Sequence, residues 1–218
     1  MLIQIFKELK KHAPFTTFGV ITGILIMIVF QKLPKETSLN IFYMLHPIHV
    51  VLSALVTASI YELHECEHFS KKCIKGKCNF WVLLLIGYFG SIGIATISDS
   101  VIPYLGEIIL NLPNKGIHLG FIEKWWLVNP LAIVGVLFAY FKPATKFPHA
   151  GHVLLSTWAS LFHILMAIEG ALNRWSYIVI FVFLFFAVWI PCCLSDIVFP
   201  LLFVKEQKQK ISNEDRIN

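Results

Sequence analysis

The sequence predicts an all-α integral membrane protein with about six transmembrane helices, arranged as two inverted three-helix repeats whose third helices are broken. The first observation is composition: 57% of residues are hydrophobic, the mean hydropathy is +0.72 and 14% of residues are charged, against about 25% in soluble domains. The second is that apolar runs of roughly 20 residues, the length of a membrane span, recur along the chain. The third is a histidine-bearing stretch that occurs twice.

The repeated stretch begins at His46 and again at His149, and both copies read His-x-x-His-Val-x-Leu-Ser. A Ser-Asp pair follows deeper in each copy, at Ser98-Asp99 and at 195–196. Each copy is predicted to contain three spans, with the histidines opening the second span. An odd number of spans gives the two copies opposite orientations, which is typical of secondary transporters.

On this interpretation the chain has four parts. Residues 1–14 are basic and amphipathic, which predicts an N-terminal helix lying at the membrane interface. Residues 15–112 form the first three-span repeat and residues 113–204 the second. Residues 205–218 are polar and are predicted to be a cytoplasmic tail.

The predicted spans are residues 15–30, 41–62, 80–112, 125–141, 148–172 and 175–204. Pro47 lies between the first two histidines, where it is expected to kink the second span. Paired tryptophans open the fourth span, as at a membrane interface, and Pro148 suits the first turn of the fifth. The third and sixth spans are longer than a bilayer requires and carry prolines, which predicts breaks near Asp99 and Asp196.

Basic residues predict the orientation of the chain. Most of the eighteen lysines and arginines fall in segments that lie on one side if both termini are cytoplasmic. The prediction is therefore a multi-pass protein of the cell membrane with cytoplasmic N- and C-termini. The same distribution accounts for the net charge of +5, so no nucleic-acid partner is needed to explain it.

Six side chains are the candidate metal ligands: His46, His49, Asp99, His149, His152 and Asp196. A His-x-x-His pair on a helix presents two imidazoles on one side, and an aspartate from another helix can complete a three-ligand set. Ionisable residues inside a membrane span are costly and therefore point to function. The alternative is structural, with these groups forming hydrogen bonds between helices.

Further polar residues lie along the same predicted helices. His163 and Glu169 are candidates for a proton relay, and His12 and His118 are expected to be solvated. The hydroxyl residues after each histidine pair are expected to be small packing residues rather than ligands; they are Ser53, Thr57, Ser156 and Ser160.

The pattern resembles an uncharacterised family of polytopic membrane proteins described as heavy-metal exporters. The resemblance is carried by the stretch from His46 to Ala54, by Ser98-Asp99, and by the stretch from Thr145 to Thr157. It implies heavy-metal transport.

The expected function is transport of a divalent transition-metal ion, with zinc, manganese or iron as the candidates, through a site shared by the two repeats. Proton coupling is an option. No catalytic residue is assigned, and the expected partners are the bilayer and the metal ion, with homo-oligomer formation left open. One alternative is an intramembrane metal-dependent enzyme acting on a lipid or prenyl substrate. Another is haem held by two histidines.

Overall fold

The structure is a computed structural model that describes residues 2–68, 79–170, 172–194 and 199. Within these ranges the chain is all helical and contains no strand. The helices are α1 (Leu2–Phe30), α2 (Lys35–His68), α3 (Phe80–Thr96), α4 (Ile102–Ile109), α5 (Gly120–Glu123), α6 (Trp125–Phe141), α7 (Lys146–Ala167) and α8 (Arg174–Cys193). Between α3 and α4 the chain stays helical through a π turn, Ile97–Val101.

Five helical stretches are long and apolar enough to cross a membrane: His12–Phe30, Lys35–Leu63, Phe80–Ile109, Pro148–Ala167 and Arg174–Cys192. Helix α6 is also apolar but has 17 residues, the lower limit of about 17 for a span. The prediction of an all-α protein is therefore confirmed for the described residues, and five of the helical stretches are apolar enough to span a membrane.

The outer face of the bundle is apolar, as a lipid-facing surface should be. On α8 the exposed side chains recur every four residues, at Ile178, Val182, Phe186 and Ile190. Helix α1 has a similar exposed stripe that includes Phe18 and Leu25. Contiguous apolar surface of this kind is uncommon on soluble monomers.

Helix α2 is the central helix, packed against α3, α6 and α7. Its crossing with α6 requires a glycine, because a Cβ on Gly135 would lie 2.4 Å from the Val51 carbonyl oxygen and 2.8 Å from the Cβ of Ala54. Small residues let helix backbones approach closely where membrane helices pack. An apolar core around Phe42 and Leu161 joins α1, α7, α8 and the first part of α2.

The third predicted span is interrupted at the expected place, but by a wide turn rather than by a gap. Phe80–Ile109 runs as one helical stretch with the π turn at its middle. Pro103, at the start of α4, has no N–H to donate to the carbonyl of Asp99. The π turn inserts one extra residue here, so the side chains of α4 are rotated about the helix axis relative to their positions in an uninterrupted α-helix.

The remaining boundaries differ in detail from the predicted ones. The interfacial segment and the first span form one continuous helix, α1, which passes through Pro14. The break expected around Asp196 and the tail at 205–218 lie outside the described residues.

The two ends of the bundle can be told apart by their contacts. At one end Tyr177 Oη donates to Gln31 Oε1 at 2.8 Å, and the 110–119 loop joins the end of α7 through the backbone. We call this the loop end. At the other end Trp189 Nε1 donates to the carbonyl of Leu9 at 2.9 Å, close to the turn of α1 that carries His12. We call this the His12 end.

Candidate metal centre

His46, His49 and Asp99 meet in the middle of the bundle. The two histidines lie one turn apart on α2, on either side of Pro47, and Asp99 lies in the π turn. Their side chains are 1%, 0% and 0% exposed. Both helical stretches belong to the candidate membrane spans, so the group lies well away from bulk water.

The Asp99 carboxylate accepts four hydrogen bonds. Its Oδ2 lies 2.9 Å from His46 Nδ1 and 2.7 Å from His49 Nδ1. Its Oδ1 accepts from the hydroxyls of Ser98 at 2.7 Å and Ser156 at 2.8 Å. An ionised carboxylate only accepts hydrogen bonds, so both imidazoles carry a hydrogen on Nδ1, and a neutral imidazole of this tautomer has its lone pair on Nε2.

With Asp99 ionised and both imidazoles neutral, the group carries one net negative charge. Hydrogen bonds from neutral donors stabilise the charge but do not cancel it. A buried uncompensated charge in an apolar surrounding is costly. Binding a cation would remove that cost, which makes this a place where a cation is favoured.

The three side chains can offer a metal ion two nitrogens and one oxygen, and these ligand atoms lie within 4.8 Å of one another. Within the described ranges no other trio of His, Cys, Asp or Glu side chains meets that criterion. Imidazole with carboxylate suits zinc, manganese and iron.

The present contacts are hydrogen bonds, and two modes of metal binding are open to them. A tetrahedral ion between Nδ1 and Oδ2 needs a nitrogen–oxygen separation of about 3.3 Å, so the 2.7 and 2.9 Å contacts would have to widen. Alternatively Asp99 orients the imidazoles, and Nε2 binds the ion. Metal-binding histidines commonly donate their other ring N–H to a carboxylate in this way.

The two Nε2 atoms have different surroundings. His49 Nε2 is buried and has no hydrogen-bond partner among the described residues, and the His49 ring lies edge-on to His152 at 5.4 Å between centroids. His46 Nε2 lies against Gly120 of α5, where a Cβ would come within 2.6 Å of it. The backbone of α5 therefore covers His46 at the loop end.

The second histidine pair extends from this group toward the His12 end. His152 is fully buried beside His49. The His149 ring lies 5.3 Å from His152 and 4.1 Å from His12 of α1. The structure thus joins the two pairs through His49 and His152. Asp196 lies outside the described residues.

The expectation that His12 is solvated is wrong, because it is 7% exposed. Helix α1 continues as a helix past Pro14 and packs against α7 at this level, which places the His149 ring over His12. His118, also expected to be solvated, is 22% exposed and its Nδ1 lies 3.3 Å from Glu123 Oε2.

The serines of α7 are hydrogen-bonding partners of the site rather than packing residues. Ser156 bonds to Asp99, and Ser160 Oγ donates to the carbonyl of Ser98 at 2.9 Å. The four-residue spacing from His152 to Ser156 to Ser160 was the signal in the sequence, since it places all three on one helix face. Ser53 of α2, by contrast, has a buried hydroxyl with no partner among the described residues.

Glu107 is a buried residue that the sequence did not single out. It lies in α4, is 1% exposed, and its Oε1 lies 2.8 Å from His163 Nδ1. His163 is therefore paired with Glu107 and not with Glu169, which is exposed and lies 3.4 Å from the Asn114 amide.

The π turn explains why Glu107 was missed. Ser156 and His163 are seven residues apart on α7, two turns of one face, and they contact Asp99 and Glu107, which are eight residues apart. Eight residues of an uninterrupted α-helix would rotate Glu107 off that face, and the extra residue of the π turn restores the alignment. The two carboxylates therefore face α7 together.

Comparisons of the chain with family models, with curated proteins and with solved structures each returned no match. The site itself therefore carries the functional argument. The class it defines is a helical membrane-type bundle with a buried histidine–aspartate group that can hold a metal ion.

Proposed function

We propose that this protein transports a divalent transition-metal ion across a membrane, with zinc, manganese or iron as the substrate. The observation that carries the proposal is Asp99, a fully buried carboxylate with an imidazole nitrogen from each of two histidines at hydrogen-bond distance. Nitrogen ligands favour transition metals over calcium and magnesium, which prefer oxygen.

A run of imidazoles supports movement of an ion rather than a purely structural role. From the His12 end, ring centroids are separated by 4.1 Å, 5.3 Å and 5.4 Å through His149 and His152 to His49. Two imidazoles bound to one tetrahedral ion place their centroids about 5 Å apart. The steps between these rings are therefore close to the distance over which an ion can pass from one pair of nitrogens to the next.

The proposed topology is the one that the sequence predicts: six crossings as two inverted repeats, in the cell membrane, with cytoplasmic termini and Asp196 as a further ligand. Packing of α2 on α7, which carry the two histidine motifs, supports the pairing of the halves. The length of α6, at 17 residues, allows a sixth crossing. The resemblance to proteins described as heavy-metal exporters agrees with this function.

The test is binding and flux with the full-length protein. Metal content is measured by mass spectrometry after purification, affinity by calorimetry, and flux of zinc, manganese, iron, cobalt and nickel in liposomes. We expect Asp99→Asn and His49→Ala to abolish flux of the ion that the wild type carries. Ser53→Ala is the matched control, because it removes a buried polar group on the face of α2 one turn from His49 without touching the site. Absence of both bound metal and flux for all five ions would overturn the proposal.

A further inference from the structure

We infer that Glu107 and His163 form a second buried cation site, which binds a proton and exchanges it with the loop end of the bundle through His118. The binding of a proton is a property of the pair itself. Its use to drive metal movement rests on the function proposed above.

The pair has the charge that a proton site requires. Glu107 Oε1 lies 2.8 Å from His163 Nδ1, and its Oε2 accepts from the backbone N–H of Gly116 at 3.1 Å. Both side chains are at most 1% exposed. With the imidazole neutral, the ionised carboxylate leaves one net negative charge buried in the bundle, which is costly without a cation.

His163 has the free atom at which a proton can bind. Its Nε2 is buried and has no hydrogen-bond partner among the described residues. A proton taken from water would form an N–H bond there, giving an imidazolium beside the Glu107 carboxylate. The net charge of the pair then changes from minus one to zero, so the uptake of one proton removes the uncompensated charge.

His118 provides the connection to the surface. Its ring lies 5.5 Å from the His163 ring, and its Nε2 would be 3.5 Å from a Cβ built on Gly116, the residue that donates to Glu107. Its Nδ1 lies 3.3 Å from Glu123, which is 40% exposed. The His118 imidazole therefore lies between the buried pair and a solvent-accessible carboxylate.

The helices packed around the pair contact it with apolar side chains, and the nearby charged groups lie farther out. From α2, Phe42 lies between His163 and His46, with its ring 5.5 Å from His163 and 5.3 Å from His46. From α8, the side chain at the contact with α4 is apolar, Phe183 against Gly106. The charged groups beyond these contacts belong to the loop end: Lys115, Glu123, Lys124 and Glu169.

The ligand number separates this pair from a metal site. One imidazole and one carboxylate fall short of the three protein ligands typical of a transition-metal site, and the two are already hydrogen-bonded to each other. The pair lies eight residues along the helix from Asp99, about 12 Å away. The pair is thus a site distinct from the one at Asp99, and both sites include a side chain of α7.

The first arm of the test omits metal. Protein labelled with nitrogen-15 at its nine histidines is placed in lipid bilayers with a chelator, and its imidazole signals are followed by NMR from about pH 5 to about pH 9, the range around the ordinary histidine pKa. His163→Gln identifies the signal of His163. We expect that signal to change from neutral to cationic imidazole within the range, and to lose this response in Glu107→Gln but not in the matched control Glu169→Gln. A wild-type His163 signal that stays in one form, or that responds equally in Glu107→Gln, overturns the proposal.

The second arm measures access. His118→Ala removes the connection but leaves the pair intact, so we expect the protonation of His163 to slow while its two end states stay the same. Unchanged exchange in His118→Ala overturns the route through His118. A third measurement, metal flux under an imposed pH gradient, addresses coupling: Glu107→Gln should retain metal binding and lose the effect of the gradient. Because the first arm needs no metal, failure of metal transport and failure of the proton site give different results.

Discussion

The centre of the bundle and its loop end hold two versions of one arrangement. In each, a carboxylate of the third span accepts a hydrogen bond from α7: Asp99 from Ser156, and Glu107 from His163. Asp99 also lies at hydrogen-bond distance from two imidazoles of α2, whereas the one other partner of Glu107 among the described residues is a backbone N–H. Under the two proposals above, a buried carboxylate with two imidazoles binds a metal ion, and one with a single imidazole binds a proton.

Among the variants that test this difference between the two sites, Asp99→Asn is expected to have the largest effect, on metal affinity. The amide keeps the shape of the side chain but removes the negative charge and meets the two Nδ1–H groups with a poorer acceptor. We expect metal affinity to fall at least about 100-fold, the upper range for loss of a group that holds metal-binding histidines. Calorimetry on purified protein measures it. Glu107→Gln is the matched control and should leave metal affinity unchanged; an equal loss in both variants would contradict the division of roles.

The next effect separates one shared metal site from two. If His49 and His152 serve the same ion, His49→Ala and His152→Ala each remove most of the bound metal, and the double variant is little worse than either, since residues in one site are not additive. We expect this result, because the two rings lie 5.4 Å apart. Metal stoichiometry by mass spectrometry decides it. Loss of about half the metal in each single variant would instead indicate one ion in each repeat.

Gly116 in the 110–119 loop and Gly120 at the start of α5 provide a test with a smaller expected effect. A Cβ on Gly120 would lie 2.6 Å from the His46 ring, whereas a Cβ on Gly116, beside Glu107, would meet nothing closer than 3.5 Å. Gly120→Ala must displace either His46 or α5, and we expect a loss of about 1–3 kcal/mol in stability, as for overpacked cores, together with weaker metal binding. Gly116→Ala should be tolerated. Thermal unfolding in detergent and calorimetry measure the two effects, and equal behaviour of the two variants would show that α5 does not cover His46 closely.

The smallest effect concerns the surface end of the proton route. Burial raises the pKa of Glu123, but its hydrogen bonds with Tyr43 and His118 lower the pKa by more than burial raises it. The pKa of Glu123 therefore lies below its ordinary value. A carboxyl whose pKa is lowered by folding adds stability above its unfolded pKa, and that stability disappears as pH falls through the folded pKa.

Since Glu123 is 40% exposed, we expect Glu123→Gln to cost only a few tenths of a kcal/mol near neutral pH. The difference from wild type should vanish in acid below the folded pKa. Thermal unfolding across the acid range measures it, with Glu36→Gln, on an exposed first turn of α2, as the control. A difference that grows toward acid pH would contradict the assigned sign.

Part of the site can be predicted from the sequence, because the features that identify its residues depend only on their neighbours in the chain. Two histidines three residues apart on a helix share a face whatever surrounds them, and an aspartate inside an apolar run is an anomaly that needs a partner. The residues His46, His49 and Asp99 are singled out on those grounds, and the structure brings them together. The inverted repeat stays a prediction, because the described residues do not include Asp196.

The class of protein and the polar groups that fall within its candidate spans follow from the sequence, since composition and helical periodicity depend only on neighbouring residues. Which of these polar groups come into contact depends on how the helices pack. His12 is buried because α1 runs on past Pro14 onto α7. Glu107 faces His163 because one additional residue in the π turn changes the rotation of the helix after it. Helical periodicity in a sequence cannot predict such a change, because it assumes a constant rotation per residue. Packing between helices determines where that rotation changes.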